Sequence, residues 1–431
     1  MSTSLKPGAK LQVSAEALEQ KGTMTAHTRE FDLVLFGATG FTGALVAEEL
    51  LARGGTVRWA LAGRDRAKLE GVKARLTALS KTAGDLQILV ADSHDAVALD
   101  ALAKRTRVVC TTVGPYHQHG LELVRACAEN GTHYCDITGE TPFMRRTIDA
   151  HHRTAQSTGA RIVHACGFDS IPSDLGCLIL DEAMRLRSGA PCDEATLYVT
   201  KMRGGASGGT LASMLGLLDA AKREPELRKV LLDPYALNPD GERAGPDGPD
   251  AFGLSLEKEG FVGPFVMAGV NTRVVRRTNA LLGYRYGRDF RYREVSRYRR
   301  SVMGALRCGG TSLGLGALLG AAAIPALRGV LARALPKPGE GPSKEQRERG
   351  QFRIALVGTN RVNGVPNRVT ARVEGNRDPG YGFTAIMLSE AALCLACDTL
   401  TSEGGVLTPA SAMGMTLVHR LRGAGMVLAA D

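Results

Sequence analysis

The sequence predicts an α/β protein in which an N-terminal doubly wound parallel sheet precedes a second α+β domain with a mixed sheet. Three observations lead there. An apolar run pours into a glycine-rich turn between Phe31 and Gly43, short apolar runs alternate with helix-period segments as far as residue 175, and the rhythm changes beyond it.

Phe31-Asp-Leu-Val-Leu-Phe36 reads as a buried strand, Gly37-Ala-Thr39-Gly40-Phe41-Thr-Gly43 as a turn, and Ala44 to Ala52 as a helix that stops at Gly54-Gly55. Strands are expected at 57–62, 86–91, 108–113, 134–137 and 161–165, with helices at 66–79, 96–104, 121–129 and 142–157. These strands are continuous apolar runs, as expected when helices cover both faces of a sheet. Right-handed crossovers then build a Rossmann-type sheet over residues 30–175. Residues 1–29 read as a loose extension, with Met24 as an alternative start. Segments 196–202, 270–275, 290–295, 353–357 and 367–374 have strand character and suit a mixed sheet in a domain spanning 176–384. The breaker-rich stretches 238–250 and 336–350 read as exposed, mobile loops. The tail, 385–431, is expected to be helical over 385–398 and 409–422 and to pack back on the first domain.

Composition narrows the class. Charged residues at 23% and hydrophobic residues at 44% are ordinary for a globular protein and argue against disorder or a multi-span membrane protein. Nine cysteines, with no export signal in the first 29 residues, read as reduced thiols in a cytoplasmic protein. Net charge is +10, and eight arginines against two acids between Arg285 and Arg307 carry most of it. No nucleic-acid-binding motif accompanies them, so an acidic membrane surface, an acidic carrier protein, a phosphorylated substrate handle or a solvated basic face all fit. The twenty residues from Cys308 to Leu327 carry no charge. Five glycines and Pro325 argue against a membrane span; an interfacial hairpin, a wall of a substrate tunnel and a buried Ala/Gly helix pair remain. Peripheral membrane contact is therefore expected through 285–328.

The first glycine turn carries the chemistry. Gly37 permits the tight turn, Gly40 lets backbone approach a pyrophosphate, Gly43 brings helix and strand together, and the helix N-terminus at Phe41 offers free N–H groups. The second expected strand ends at Gly63-Arg64, where an acid would bind the ribose of NAD; a guanidinium suits the 2′-phosphate of NADP. Asp65 beside it leaves some tolerance for NAD, and Asp92 stands where adenine is contacted. Thr39, Thr112 and Gly114 complete the expected cofactor contacts. Tyr116 and His117 follow the fourth strand, where either a proton donor or a hydrogen-bonded structural role fits. Asp169, after another strand, can orient substrate or His164, although capping of the next helix accounts for the same pattern. Gly204 to Thr210 is a candidate second anion-binding turn. Cys394 and Cys397 read as core residues, and no metal site is expected.

Phe-Gly-Ala-Thr-Gly-Phe-Thr-Gly, Leu-Ala-Gly-Arg, Val-Gly-Pro-Tyr, Asp136-Ile-Thr-Gly-Glu140, His164-Ala-Cys-Gly-Phe-Asp-Ser-Ile-Pro-Ser-Asp174 and Gly405-Val-Leu-Thr-Pro-Ala-Ser-Ala-Met-Gly414 fall in order along the chain. Together they resemble the saccharopine dehydrogenase-like oxidoreductases, within them the mycobacterial trans-acting enoyl reductases, from about residue 31 to 425. The resemblance implies NADPH as cofactor in preference to NAD, a homodimer, and reduction of a carbon–carbon double bond on a long acyl or polyketide precursor of envelope glycolipids. An acidic acyl carrier domain is the partner expected to dock on the basic stretch. The resemblance supplies no proton donor, and a non-catalytic NADPH-binding protein at a lipid surface is the competing expectation.

Overall fold

The computed structural model describes residues 29–204, 223–239, 241–242, 245–248, 254–258, 260–324 and 341–431. Arg29, assigned by sequence to the loose extension, is anchored: its guanidinium donates to the carbonyls of Ala103, Thr106 and Asn130 and to Thr132 Oγ1. Six strands follow, β1 (Phe31–Phe36), β2 (Trp59–Gly63), β3 (Gln87–Val90), β4 (Thr106–Thr111), β5 (His133–Cys135) and β6 (Arg161–Val163). Next come β7 (Glu194–Arg203), β8 (Ser255–Glu257), β9 (Gly260–Pro264), β10 (Arg291–Tyr298), β11 (Gln351–Val362) and β12 (Val365–Gly375), then β13 (Gly405–Leu407) and β14 (Val427–Ala430).

Two seven-stranded sheets result. The first runs β13-β6-β5-β4-β1-β2-β3 with every pair parallel. Chain order reverses at β1, so the loops after β1 and β4 border the crevice where α/β sheets bind ligands. The second runs β14-β12-β11-β7-β10-β9-β8 and is mixed: β7 and β10 are parallel and the other pairs antiparallel.

The tail ties the sheets together. Helix Thr384–Cys397 is apolar almost all round and packs against β1, β4, β5 and helix Phe41–Arg53. Segment Pro379–Cys397 is long and apolar enough to cross a membrane, yet 89% of it lies inside the protein, as a core helix does. β13 adds the seventh strand to the parallel sheet, while β14 joins the other one, so the tail does not pack on the first sheet alone.

Four expectations fail. Residues 270–275 are not a strand but the middle of helix Ala268–Leu281, in which Arg273, Arg276 and Arg277 are buried. Their donors hold the carbonyls of Leu231, Asp233, Pro234 and Leu237, tertiary bonds that override the β preference of Val270, Val274 and Val275. For the same reason the 238–250 loop does not begin on the surface: Asn238 is 1% exposed. Over its described residues, 308–324, the uncharged segment continues a single helix, Val302–Ala323, and is not buried as expected of an Ala/Gly pair: Gly304 and Cys308 alone are buried among the helix's described residues. Cys397 also departs from expectation, being exposed at a helix end, whereas Cys394 is buried.

Candidate functional site

The turn after β1 is fixed by bonds that need little side chain. Gly37 N donates to Ala62 O at 2.9 Å, Gly40 N to Gly37 O at 3.1 Å, and Thr112 Oγ1 to Gly37 O at 3.2 Å. A Cβ on Gly43 would stand 2.2 Å from Gly37 O and 2.8 Å from Thr112 Oγ1, so glycine alone lets the helix approach this closely. Gly40 is different. Its φ of −77° suits any residue, and a Cβ there would meet only Gly37 O, at 3.5 Å. The fold therefore leaves a cradle over Gly40, with Thr39 exposed beside it and Gly114 exposed on the facing loop. Helix Phe41–Arg53 starts here with no side-chain cap and no acid in its first turn, which leaves its N–H groups for an anion. These residues fit a pyrophosphate.

Arg64 lies exposed at the end of β2. Asp65 is committed elsewhere: it caps helix Arg66–Leu79 through Lys68 N at 3.1 Å and pairs with Lys68 Nζ at 3.7 Å. Asp92 Oδ1 accepts from His94 N at 2.9 Å. Two histidines that sequence reasoning did not select meet nearby, His94 Nε2 and His119 Nδ1, 3.0 Å apart. Nothing in their spacing, 25 residues, signals the contact; only the parallel sheet brings the loops together.

At the other end of the edge, Glu140 organises the loop after β4. Its carboxylate accepts from Tyr116 N and His117 N, both at 2.9 Å, and from His117 Nδ1 at 2.6 Å. Tyr116 is 6% exposed; its hydroxyl donates to Thr111 O at 3.3 Å and receives Ile137 N at 3.4 Å. Burial pushes that phenol well above its usual range. Its one proton is engaged by Thr111 O, the hydrogen-bonded arrangement that the sequence left open beside the donor role. His117 keeps an edge toward solvent, where Gln118 Nε2 lies 3.3 Å from its Nε2.

Asp136, at the end of β5, holds a wholly buried network. Oδ2 receives Tyr134 OH and His164 Nδ1, each at 2.8 Å, while Oδ1 receives Thr138 N at 3.0 Å and Ala165 N at 3.1 Å. Thr147 Oγ1 lies 2.9 Å from His164 Nε2 and 2.8 Å from Met144 O, which closes the network on its far side. The residue that orients His164 is thus Asp136 and not Asp169. Ala165, at φ +58°, holds a left-handed conformation that the bond to Asp136 supports.

Asp169 stands free of this network. Ideal Cβ atoms on Gly167 and Gly139 would lie 2.8 and 3.8 Å from its oxygens, and the Gly139 position also faces Met267 Cε at 3.9 Å. Its side chain keeps part of its surface open. Enclosure by protein, then the charge of Asp136, pushes its carboxyl up to about 7, against the pull of its own N–H. Distant segments close over the same edge: Phe168 N donates to Thr384 Oγ1 at 3.1 Å, the Phe41 ring meets Tyr381 edge-on at 4.9 Å, and Arg347 lies over Phe41 at 5.4 Å. The expected mobile stretch 336–350 thus supplies, in its described part, a short helix Lys344–Glu348 packed at the glycine turn. Of the candidate second turn, only Gly204 lies within the described residues.

Comparison with known proteins agrees with this geometry. The profile of the saccharopine dehydrogenase NADP-binding domain matches residues 33–163. A Mycobacterium tuberculosis protein provisionally named a trans-acting enoyl reductase is 45% identical over 421 residues, spanning 94% of this chain and 98% of its own. Trans-acting enoyl reductases of Mycobacterium bovis and Mycobacterium leprae are each 41% identical, spanning 94% of this chain and 99% of theirs. Among solved structures, apo saccharopine dehydrogenase (L-Glu forming) of Saccharomyces cerevisiae shares the fold, with a TM-score of 0.52 at 12% identity over 93% of this chain and 99% of that one. With the NADP-binding profile lying on the sheet that carries the glycine cradle, and relatives alike over nearly their whole length, the chain belongs to the saccharopine dehydrogenase-like oxidoreductases, alongside the mycobacterial trans-acting enoyl reductases.

Proposed function

We propose that this oxidoreductase reduces the carbon–carbon double bond of an α,β-unsaturated acyl thioester, with a long acyl or polyketide chain as the substrate class. The observation that carries this reading is Asp169, a partly enclosed carboxyl after β6 on the same sheet edge as the glycine cradle, with its titration pushed up to about 7. Gly37, Thr39, Gly40, Phe41 and Gly43 hold the pyrophosphate, with Thr112 and Gly114 opposite, and Arg64 and Asp92 take the adenosine end. NADPH, when bound, supplies the hydride that adds to the β-carbon. Asp169 gives its proton to the α-carbon, so that the double bond takes up one hydride and one proton; the carboxylate left behind recovers a proton from water. Glu140 and His117 hold the loop after β4 against this site, and the Asp136–His164 network fixes the β5 and β6 ends that carry Asp169. Purified protein oxidises NADPH when given unsaturated acyl thioesters of increasing chain length; no turnover across such a panel contradicts the reading.

A lipid-facing surface has its own support. Helix Val302–Ala323 carries a single charged residue, Arg307, yet Val302 is 81%, Leu306 64% and Leu313 76% exposed along one stripe. Exposed Leu256 within β8, with Leu254 before it and Val266 after β9, adds apolar surface near the β9 strand on which the helix packs. Much of the basic stretch is already neutralised, since Arg285 pairs with Asp181 and Glu182, Arg288 with Glu242 and Arg293 with Glu257. Among the described residues, Arg299, Arg300 and Arg307 are left without an acidic partner at the start of the apolar helix. A two-fold contact between copies would oppose these cations, whereas an anionic bilayer attracts them. We infer that the helix docks the protein on an anionic membrane surface. Sedimentation with vesicles containing anionic lipid falls about tenfold or more for Leu306→Asp/Leu313→Asp, with turnover on a soluble thioester retained. Equal recovery of wild type and variant, or a dimer lost in the variant, contradicts the membrane assignment.

A further inference from the structure

We propose that His119, supported by His94, completes recognition of the phosphate on the adenosine ribose as a protonatable partner of Arg64. This rests on the nucleotide-binding reading above and adds to it the residues that discriminate NADP from NAD.

Three strand ends converge here. Arg64 follows β2, Ser93 and His94 follow β3, and His119 follows β4. His94 Nε2 and His119 Nδ1 are 3.0 Å apart, their rings are inclined at 67°, and Ser93 Oγ lies 3.5 Å from His119 Nδ1. A 3.0 Å contact between two imidazole nitrogens holds one proton, so the two rings cannot both be cations without breaking it. His119 Nε2 has no hydrogen-bond partner among the described residues. The charged and titratable groups that act on His119 are His94, Arg64 and His117, which oppose its protonation, and Asp92, which favours it. Asp95, on the same turn, is engaged as the cap of helix Ala96–Arg105 through Ala98 N at 3.0 Å.

Burial first, then the neighbouring His94 and Arg64, hold His119 below the ordinary histidine range, so it is neutral in the free protein at neutral pH. A phosphate dianion placed beside Arg64 reverses the sign of the local field. It pays to bring a proton onto His119 only when that phosphate is present, and a ribose with a plain hydroxyl gives no such gain. Preference for the phosphorylated ribose therefore grows as pH falls from about 8 toward the ordinary histidine range near 6.5. The ligand alone predicts the opposite trend, because a phosphate monoester begins to lose its second charge near pH 6.

The test is calorimetric titration of the full chain with 2′,5′-ADP and with 5′-AMP at about pH 8, 7 and 6.3, in wild type, His119→Gln and Arg64→Leu. The wild-type ratio of affinities, 2′,5′-ADP over 5′-AMP, rises about twofold to threefold across this range, the gain given by a shift of about one pKa unit on binding that ends near the ordinary histidine range. His119→Gln has the wild-type ratio at pH 8 and a flat or falling profile below it. Arg64→Leu lowers the ratio at every pH. A wild-type ratio that does not rise, or a slope that survives His119→Gln while 5′-AMP still binds, overturns the histidine assignment alone. Failure of both nucleotides to bind wild type overturns the nucleotide site and this inference together.

Discussion

Asp169→Asn lowers the rate of reduction by at least about 100-fold while leaving NADPH bound and the protein more stable at alkaline pH. Asparagine fills the same space, so the loop between β6 and helix Ile171–Ser188 keeps its course, but it has no proton to give. Loss of a positioned general acid lowers kcat by about 10²–10⁴-fold, with NADPH affinity unchanged within about twofold. The stability sign follows from linkage. Burial raises the folded-state pKa of Asp169 to about 7, above its unfolded value, so its contribution is fully present below the unfolded pKa near 4 and is lost as pH rises through about 7. Above that, wild type carries a desolvated carboxylate that the variant lacks. Discounted for partial exposure, the gain at pH 8 is about 1–2 kcal/mol, a rise of a few degrees in Tm. Wild-type kcat falls as pH passes through about 7 for the same reason. A variant that loses stability and activity together shows instead that Asp169 is structural.

Gly40→Val and Gly43→Ala separate ligand binding from folding within one turn. The Gly43 Cβ would overlap the Gly37 carbonyl at 2.2 Å, and backbone cannot swing aside, so the strand–helix contact must open. Overpacking of this kind costs about 3 kcal/mol or more, read as a lower Tm. At Gly40 the nearest atom is 3.5 Å away and the backbone is extended, so valine changes stability by about 0.5 kcal/mol or less. Its side chain occupies the approach of a pyrophosphate to the helix N-terminus, and NADPH affinity drops about 100-fold, measured by quenching or enhancement of nicotinamide fluorescence. Normal NADPH binding by a folded Gly40→Val protein places the pyrophosphate elsewhere.

The parallel sheet was legible because its strands are continuous apolar runs and its helices begin and end on local signals, such as Asp65 before Arg66 and the stop at Gly54. The second sheet was legible only in outline, because its strands find partners far away and Arg273, Arg276 and Arg277 are buried through tertiary bonds. One available signal went unread. Asn363-Gly364, both at positive φ, is the two-residue hairpin turn that joins β11 to β12 as neighbours. At the site, the glycine cradle could be read from residue spacing, since its geometry is local. The partnership of Glu140 with His117, the Asp136–His164 bond and the His94–His119 contact could not, because each joins loops from different strands. Asp169 was identified as a candidate from its place after a strand; the push on its carboxyl up to about 7 comes from enclosure, which no spacing encodes.

The central claim is that one edge of the parallel sheet both grips NADPH and delivers a proton from Asp169. The most direct measurement is reduction of an unsaturated acyl thioester by NADPH in D₂O, with the product's isotope position and the pH dependence of kcat recorded for wild type and Asp169→Asn. The proposed reaction puts one solvent deuterium on the α-carbon, at a rate that declines above a pD near 7, with at least about a 100-fold loss in the variant. NADPH oxidation at the wild-type rate by Asp169→Asn, or no reduction of any unsaturated thioester by the wild type, contradicts it.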